Sequence, residues 1–145
     1  VFNEFPLMGG QVVPPGYGML SPWWSNAFEN PAAAQFHHRL LAITVTALVL
    51  ALAWRARQAA LPQMVQRAVF GFAAVITVQL VLGITTLLLA VPIPLGVLHQ
   101  FTGVLALTAA LIATQRAVAT TAATRAATLP PDRVAPPAWP APSQR

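Results

Sequence analysis

Three long apolar runs divide the chain, separated by short polar breaks. The first extends from Leu40 to Trp54 without a charged residue. Together with the mixed stretch before it, this run predicts a helix over residues 32–54. Asn30 is the expected N-cap and Pro31 the first helical residue, because proline lacks the N–H that a first turn leaves unpaired. Arg55 and Arg57 end the run, and a connection containing Pro62 leads to Arg67. The pattern predicts a second helix over 68–91 and a third over 95–117, joined by the tight reversal Val91-Pro92-Ile93-Pro94. Each run has about the 20 residues that cross a hydrocarbon core. Strand alternation and long-period repeats do not occur in the pattern. The expected fold class is all-α, a multi-pass transmembrane helical bundle.

The two ends differ from the runs and from each other. Residues 1–31 carry Gly and Pro too densely for a long regular element, and they close with Trp23, Trp24 and Phe28. Aromatics just before a span anchor in the headgroup layer. This segment is expected to be an interfacial outer loop or, more sharply, a lid over a site at the same face. Residues 118–145 are rich in Ala, Thr and Pro and are expected to form a disordered tail.

Composition supports the membrane reading. Hydrophobic residues make up 57% and charged residues 8%, against roughly 25% charged in a soluble domain. There is no cysteine, which excludes disulfides, thiolate catalysis and Cys-bound metals or clusters. The net charge of +5 comes entirely from arginine, spread over loops and tail. That distribution suits membrane topology and not a nucleic-acid partner. The chain starts at Val1 without a charged leader region, so it is expected to begin inside a longer protein.

Arginine also sets an expected orientation. Arg55, Arg57 and Arg67 lie between the first two runs, and Arg116, Arg125, Arg133 and Arg145 follow the third. Arg39 alone lies at the other face. The positive-inside rule places residues 1–31 and the Pro92–Pro94 turn outside, with the tail in the cytoplasm.

This orientation brings the three histidines to one side. His37 and His38 sit near the mouth of the first run and His99 near the mouth of the third. At about 1.5 Å rise per residue, His38 and His99 reach similar depth. A lone intramembrane histidine is commonly a packing residue, but an ionisable group in a span is a functional candidate. Zinc asks for more ligands than are available: the acids Glu4, Glu29 and Asp132 all lie outside the runs. Haem iron needs two axial ligands, and imidazole is a common one. Ala42 and Thr46 follow His38 at one-turn spacing, and Gly103 follows His99. Residues four apart share a helix face, so small side chains there suit a flat macrocycle or close helix contact; both readings stay open. His37 points about 100° away from His38, so both cannot face one iron equally, and the Ala42 face favours His38. Arg39 suits a haem propionate or snorkels to the interface.

The motifs Phe2-Asn3-Glu4-Phe5-Pro6-Leu7-Met8-Gly9-Gly10, Gln35-Phe36-His37-His38-Arg39-Leu40, Gln79-Leu80-Val81-Leu82-Gly83-Ile84-Thr85-Thr86-Leu87 and Val91-Pro92-Ile93-Pro94 with Leu98-His99-Gln100 occur in this order. Together they resemble the C-terminal half of the haem A synthase family, from its outer loop through spans six to eight. The resemblance runs from residue 2 to about Gly103. His37 departs from the Asp, Asn or other non-histidine residue usual in the family, and Glu4 stands where Thr is common.

The resemblance implies that these three spans form part of an eight-span enzyme of the bacterial inner membrane. It implies that His38 and His99 are axial ligands of a resident haem b that relays electrons. The family oxidises a methyl group of haem O to the formyl group of haem A, for terminal oxidases. The implied partners are the N-terminal half of the same protein, haem O, the lipid bilayer and an electron donor of unknown identity, with a homo-oligomer as a further option. The cofactor set is haem b, with Arg39, Ala42 and Gly103 beside the two ligands. This portion alone is not expected to turn over. Two alternatives come from other classes: an independent b-type membrane cytochrome, and a non-haem structural subunit in which the histidines only pack.

Overall fold

The computed structural model describes residues 2–128. Among them the fold is all-helical, with a 3-10 turn at Trp23–Ser25, α1 at Asn26–Glu29, α2 at Pro31–Gln58, α3 at Gln63–Leu88 and α4 at Ile93–Thr128. The three long helices are long and apolar enough to cross a membrane. Even the shortest, of 26 residues, spans roughly 39 Å at 1.5 Å per residue. Large apolar side chains such as Leu41, Leu48, Leu107 and Leu111 remain exposed along the helix sides. Lipid accepts such a surface, and helices satisfy their own backbone groups within it. The chain is an integral membrane protein.

Asn30 caps α2 as expected. Its Oδ1 accepts from the N–H groups of Ala32 (3.0 Å) and Ala33 (3.3 Å). Its Nδ2 donates to the carbonyls of Gly16 (2.7 Å) and Tyr17 (3.1 Å) and to Asn26 Oδ1 (2.9 Å). One buried amide therefore starts the helix and ties the outer segment to it.

The helix ends differ from the predicted ones for local reasons. Helix α2 continues past Trp54 to Gln58, because Arg55 and Arg57 are good helix formers whose charge favours a C-terminal turn. Helix α3 starts at Gln63 instead of 68 and stops at Leu88 instead of 91. There the Val91 N–H donates to the Thr86 carbonyl (2.8 Å) and the Ala90 N–H to that of Leu87 (3.1 Å). These two bonds make a Schellman closure. Ala90 (φ 58°) and Val91 (φ 60°) occupy the left-handed region to form it. Pro92 then prevents the helix from resuming in register.

Helix α4 continues to Thr128, beyond the predicted limit at 117 and into the segment expected to be disordered. Residues 118–128 are mostly Ala, Thr and Arg, without Pro or Gly. Thr121 and Thr124 direct their hydroxyls to carbonyls one turn back, so they do not break the helix. The prolines that suggested disorder begin at Pro130 and lie outside the described residues.

Helix α3 packs against both α2 and α4, whereas α2 and α4 barely meet. Near the arginine-bearing end, Val49, Ala53, Ala56, Val65, Val69, Ala73 and Ala113 form a small-residue core. At the opposite end the outer helices part over α3 and leave a cleft.

Candidate cofactor site

The cleft has a volume of about 420 Å³. Its α2 wall includes His38, Ala42 and Thr46, one turn apart. Its α3 floor includes Ile76, Gln79, Leu80, Gly83 and Thr86, and His99 enters from α4. Thr46 hides its hydroxyl by donating to the Ala42 carbonyl (2.7 Å), so the deeper part of this wall presents little polarity.

His38 and His99 face each other with ring centres 6.3 Å apart and planes at 83°. They come from helices that scarcely touch, so no helix contact forces the rings together. Metal–imidazole bonds of roughly 2 Å set two rings on one ion with centres about 6 Å apart. His38 is exposed to the open cleft and His99 is half-buried. Among the described residues no group of three or more His, Cys, Asp or Glu converges. The pair alone is available for a group that needs two axial ligands.

Among the described residues, four buried side-chain polar atoms lack a hydrogen-bond partner: Arg39 Nε, Gln79 Oε1, Thr86 Oγ1 and His99 Nδ1. All four belong to residues that line this cleft. Unpaired buried polar atoms each cost free energy, so their concentration in one place marks a site for something polar. The donor set and the spacing fit a haem held by two imidazoles.

His37 turns away from the cleft. Its Nε2 lies 2.8 Å from the Tyr17 hydroxyl, and the two rings meet edge to face with centres 5.6 Å apart. Arg39 does something neither sequence reading anticipated. Its Nη1 donates to the carbonyls of Glu4 (2.7 Å) and Leu7 (3.0 Å), and its Nη2 to that of Phe2 (2.7 Å). Gln35 adds a two-way bond with Phe2, accepting from its N–H (3.0 Å) and donating to its carbonyl (2.8 Å). These contacts bring Phe5 to the rim of the cleft. The segment closes on itself between Met8 and Gln11 through Gly9 and Gly10, both at positive φ as a two-residue hairpin turn requires. Trp23, Trp24 and Phe28 point outward and are exposed.

Gly103 is not part of the cleft wall. A Cβ there would stand 3.3 Å from Gln79 Nε2, so the glycine makes room for the Gln79 amide. In the sequence Gln79 and Gly83 stand within the third of the four motifs, with no role attached to either. The available signal was the amide itself, since a polar side chain within a span needs a partner.

The fold and this cleft define a polytopic helical membrane protein with paired imidazoles at one end of its bundle. Residues 1–111 match the cytochrome oxidase assembly protein family. The chain belongs to that family. It is 44% identical over 109 residues to "Heme A synthase 2" of Acidiphilium cryptum, covering 75% of this chain and 29% of that protein. It is 42% identical over 110 residues to "Heme A synthase" of Nitrosospira multiformis, covering 76% and 31%. It is 48% identical over 103 residues to "Heme A synthase" of Sinorhizobium medicae, covering 68% and 27%. The chain thus spans about three-tenths of the length of these relatives. No solved structure matches it. The resemblance read from the four motifs is therefore sound at the level of the family.

Proposed function

We propose that this chain is the haem b-holding C-terminal portion of a haem A synthase, with His38 and His99 as the axial ligands. The observation that carries this reading is the pairing of those two rings, 6.3 Å apart, across a cleft between helices that barely meet. A haem bound there supplies one-electron transfer between an electron donor and the substrate site.

The chain's own residues do the positioning. His38 and His99 hold the group from opposite walls, and Ala42 leaves room beside them. Gln35 and Arg39 keep the outer segment docked, which sets Phe5 at the rim against water. Oxidation of the haem O methyl group to a formyl group belongs to the whole protein. Helices α2, α3 and α4 contain no acid that handles protons. The substrate haem and that acid are assigned to the remaining length, which makes the N-terminal half the chain's main partner. The arginine pattern supports insertion in the bacterial inner membrane with the α4 end cytoplasmic.

The test is the visible spectrum of the purified full-length protein. His38→Ala and His99→Ala should each lose or weaken the b-haem bands, and His37→Ala should keep them. Loss in His37→Ala with retention in His38→Ala would assign the ligand to the wrong neighbour. Absence of any haem band from the wild type would favour a structural subunit.

A further inference from the structure

Helix α3 carries no histidine, yet its Gly83 and Gln79 lie against the His99 ring. A Cβ on Gly83 would stand 2.9 Å from His99 Cε1, 3.5 Å from Nδ1 and 3.6 Å from Nε2. The nitrogen-bearing edge of the ring is thus laid against bare backbone. One turn deeper, Gln79 Nε2 lies 3.5 Å from His99 Nε2. One turn beyond His99 on α4, Gly103 leaves the space that the Gln79 amide occupies. The two antiparallel helices therefore interlock in register, with Gly83 opposite His99 and Gln79 opposite Gly103.

We propose that Gly83 and Gln79 are positioning residues for His99, Gly83 as the recess that receives the ring and Gln79 as the amide that fixes its rotation. The inference rests on the reading of His99 as a haem ligand. Metal-bound imidazoles keep a second partner at the ring edge away from the metal, which sets orientation and tautomer. His99 Nε2 lies 3.5 Å from the Gln79 amide, whose otherwise unpaired oxygen would accept a ring N–H there after a flip of the amide, and Nδ1 is buried without a partner. A side chain at position 83 pushes the ring away from α3. An apolar side chain at 79 leaves the ring free to rotate. Gly103 acts one step removed, since a methyl group there displaces the amide.

The alignment of the recess is specific. Gly71 lies on the same helix, and a Cβ there would meet nothing within 4 Å. Gly71→Ala is therefore the matched control for Gly83→Ala, with the same change in helix propensity and no steric consequence.

The experiment uses the full-length protein, purified in detergent and titrated with haem. Readouts are haem affinity and the low-spin electron paramagnetic resonance g-values, which report the orientation of the axial rings. Gln79→Leu is expected to weaken haem about tenfold, the usual scale for loss of an outer partner of a metal ligand, and to shift the g-values. Gly83→Ala is expected to lose most of the haem or shift the g-values further, and Gly71→Ala to match the wild type. If Gly83→Ala fails to accumulate, Gln79→Leu alone decides. Wild-type affinity and g-values in Gln79→Leu and Gly83→Ala, with haem still lost in His99→Ala, would overturn the proposal and leave the ligand assignment standing. Retention of haem in His99→Ala would overturn both.

Discussion

Arg39 grips the carbonyl of Phe2 at 2.7 Å, across 37 positions of sequence. The same guanidinium also holds the carbonyls of Glu4 and Leu7. A planar fork spans several acceptors at once, which a lysine ammonium does not do. Removing it should release the outer segment from α2. For Arg39→Met we expect opening of the segment to become easier by roughly 2 kcal/mol, the scale of a hydrogen bond to a charged group. Arg39→Lys should fall between that variant and the wild type. Amide exchange at Met8 and Gly10 measures it. Unchanged exchange together with lost haem would show that the guanidinium serves the cofactor instead.

Ala42 lines the cleft one turn below His38. Ala42→Leu extends a branched side chain into the space beside His38. Overfilling such a site costs about 1–3 kcal/mol, which corresponds to a roughly 5- to 150-fold loss of haem affinity. The fold should survive, since α2 packs on α3 mainly through Val49, Ala53 and Ala56 near the other end. Helical circular dichroism should therefore stay constant while haem titration shows the loss.

Ala90 holds φ 58° to close α3. A left-handed residue with a Cβ costs about 1–2 kcal/mol, and glycine is largely relieved of that cost. Ala90→Gly should raise the thermal midpoint of the detergent-solubilised protein. Ala90→Val should lower it, because a branched side chain suits this conformation least. A lower midpoint for Ala90→Gly would mean that the alanine methyl group makes a contact that outweighs the strain.

Asn30 links a helix start to the loop above it. Loss of an N-cap costs about 1 kcal/mol, and its buried amide also serves Gly16, Tyr17 and Asn26. Asn30→Ala should exceed the capping cost alone, whereas Asn30→Asp keeps the cap but loses the donor. Hydrogen exchange at Ala32 and Ala33 reports the cap, and exchange at Tyr17 reports the loop. Asn30→Asp is expected to separate the two signals.

Orientation and completeness are tested in cells. Reporter fusions between Arg55 and Arg67 and after Arg145 should both report cytoplasm. Residues 1–145, expressed in a host that makes haem O but lacks its own synthase, should yield no haem A. Helices α2, α3 and α4 offer one facing histidine pair and no acid for a second haem site. Haem A in that extract would mean that copies of this chain complete each other.

The sequence by itself determined the membrane class, the three helices and the placing of their histidines near one end. Those features depend on local quantities: the length of an apolar run, a capping Asn30, a Pro92 that stops resumption. It also separated His37 from His38, because adjacent helical residues diverge by about 100° whatever they pack against. It erred where local chemistry was ambiguous, as at residues 118–128, where Ala and Thr fit a helix as well as a tail. The role of Arg39 was decided only by the tertiary structure, since its partners are backbone carbonyls, and every residue presents one. The same holds for Gly103, which suits a macrocycle or a close helix contact equally in the sequence and makes room for Gln79 in the fold. Which helix a small residue faces depends on the register of α3 against α4. Register is a property of two surfaces fitted together, and no single run of residues encodes it.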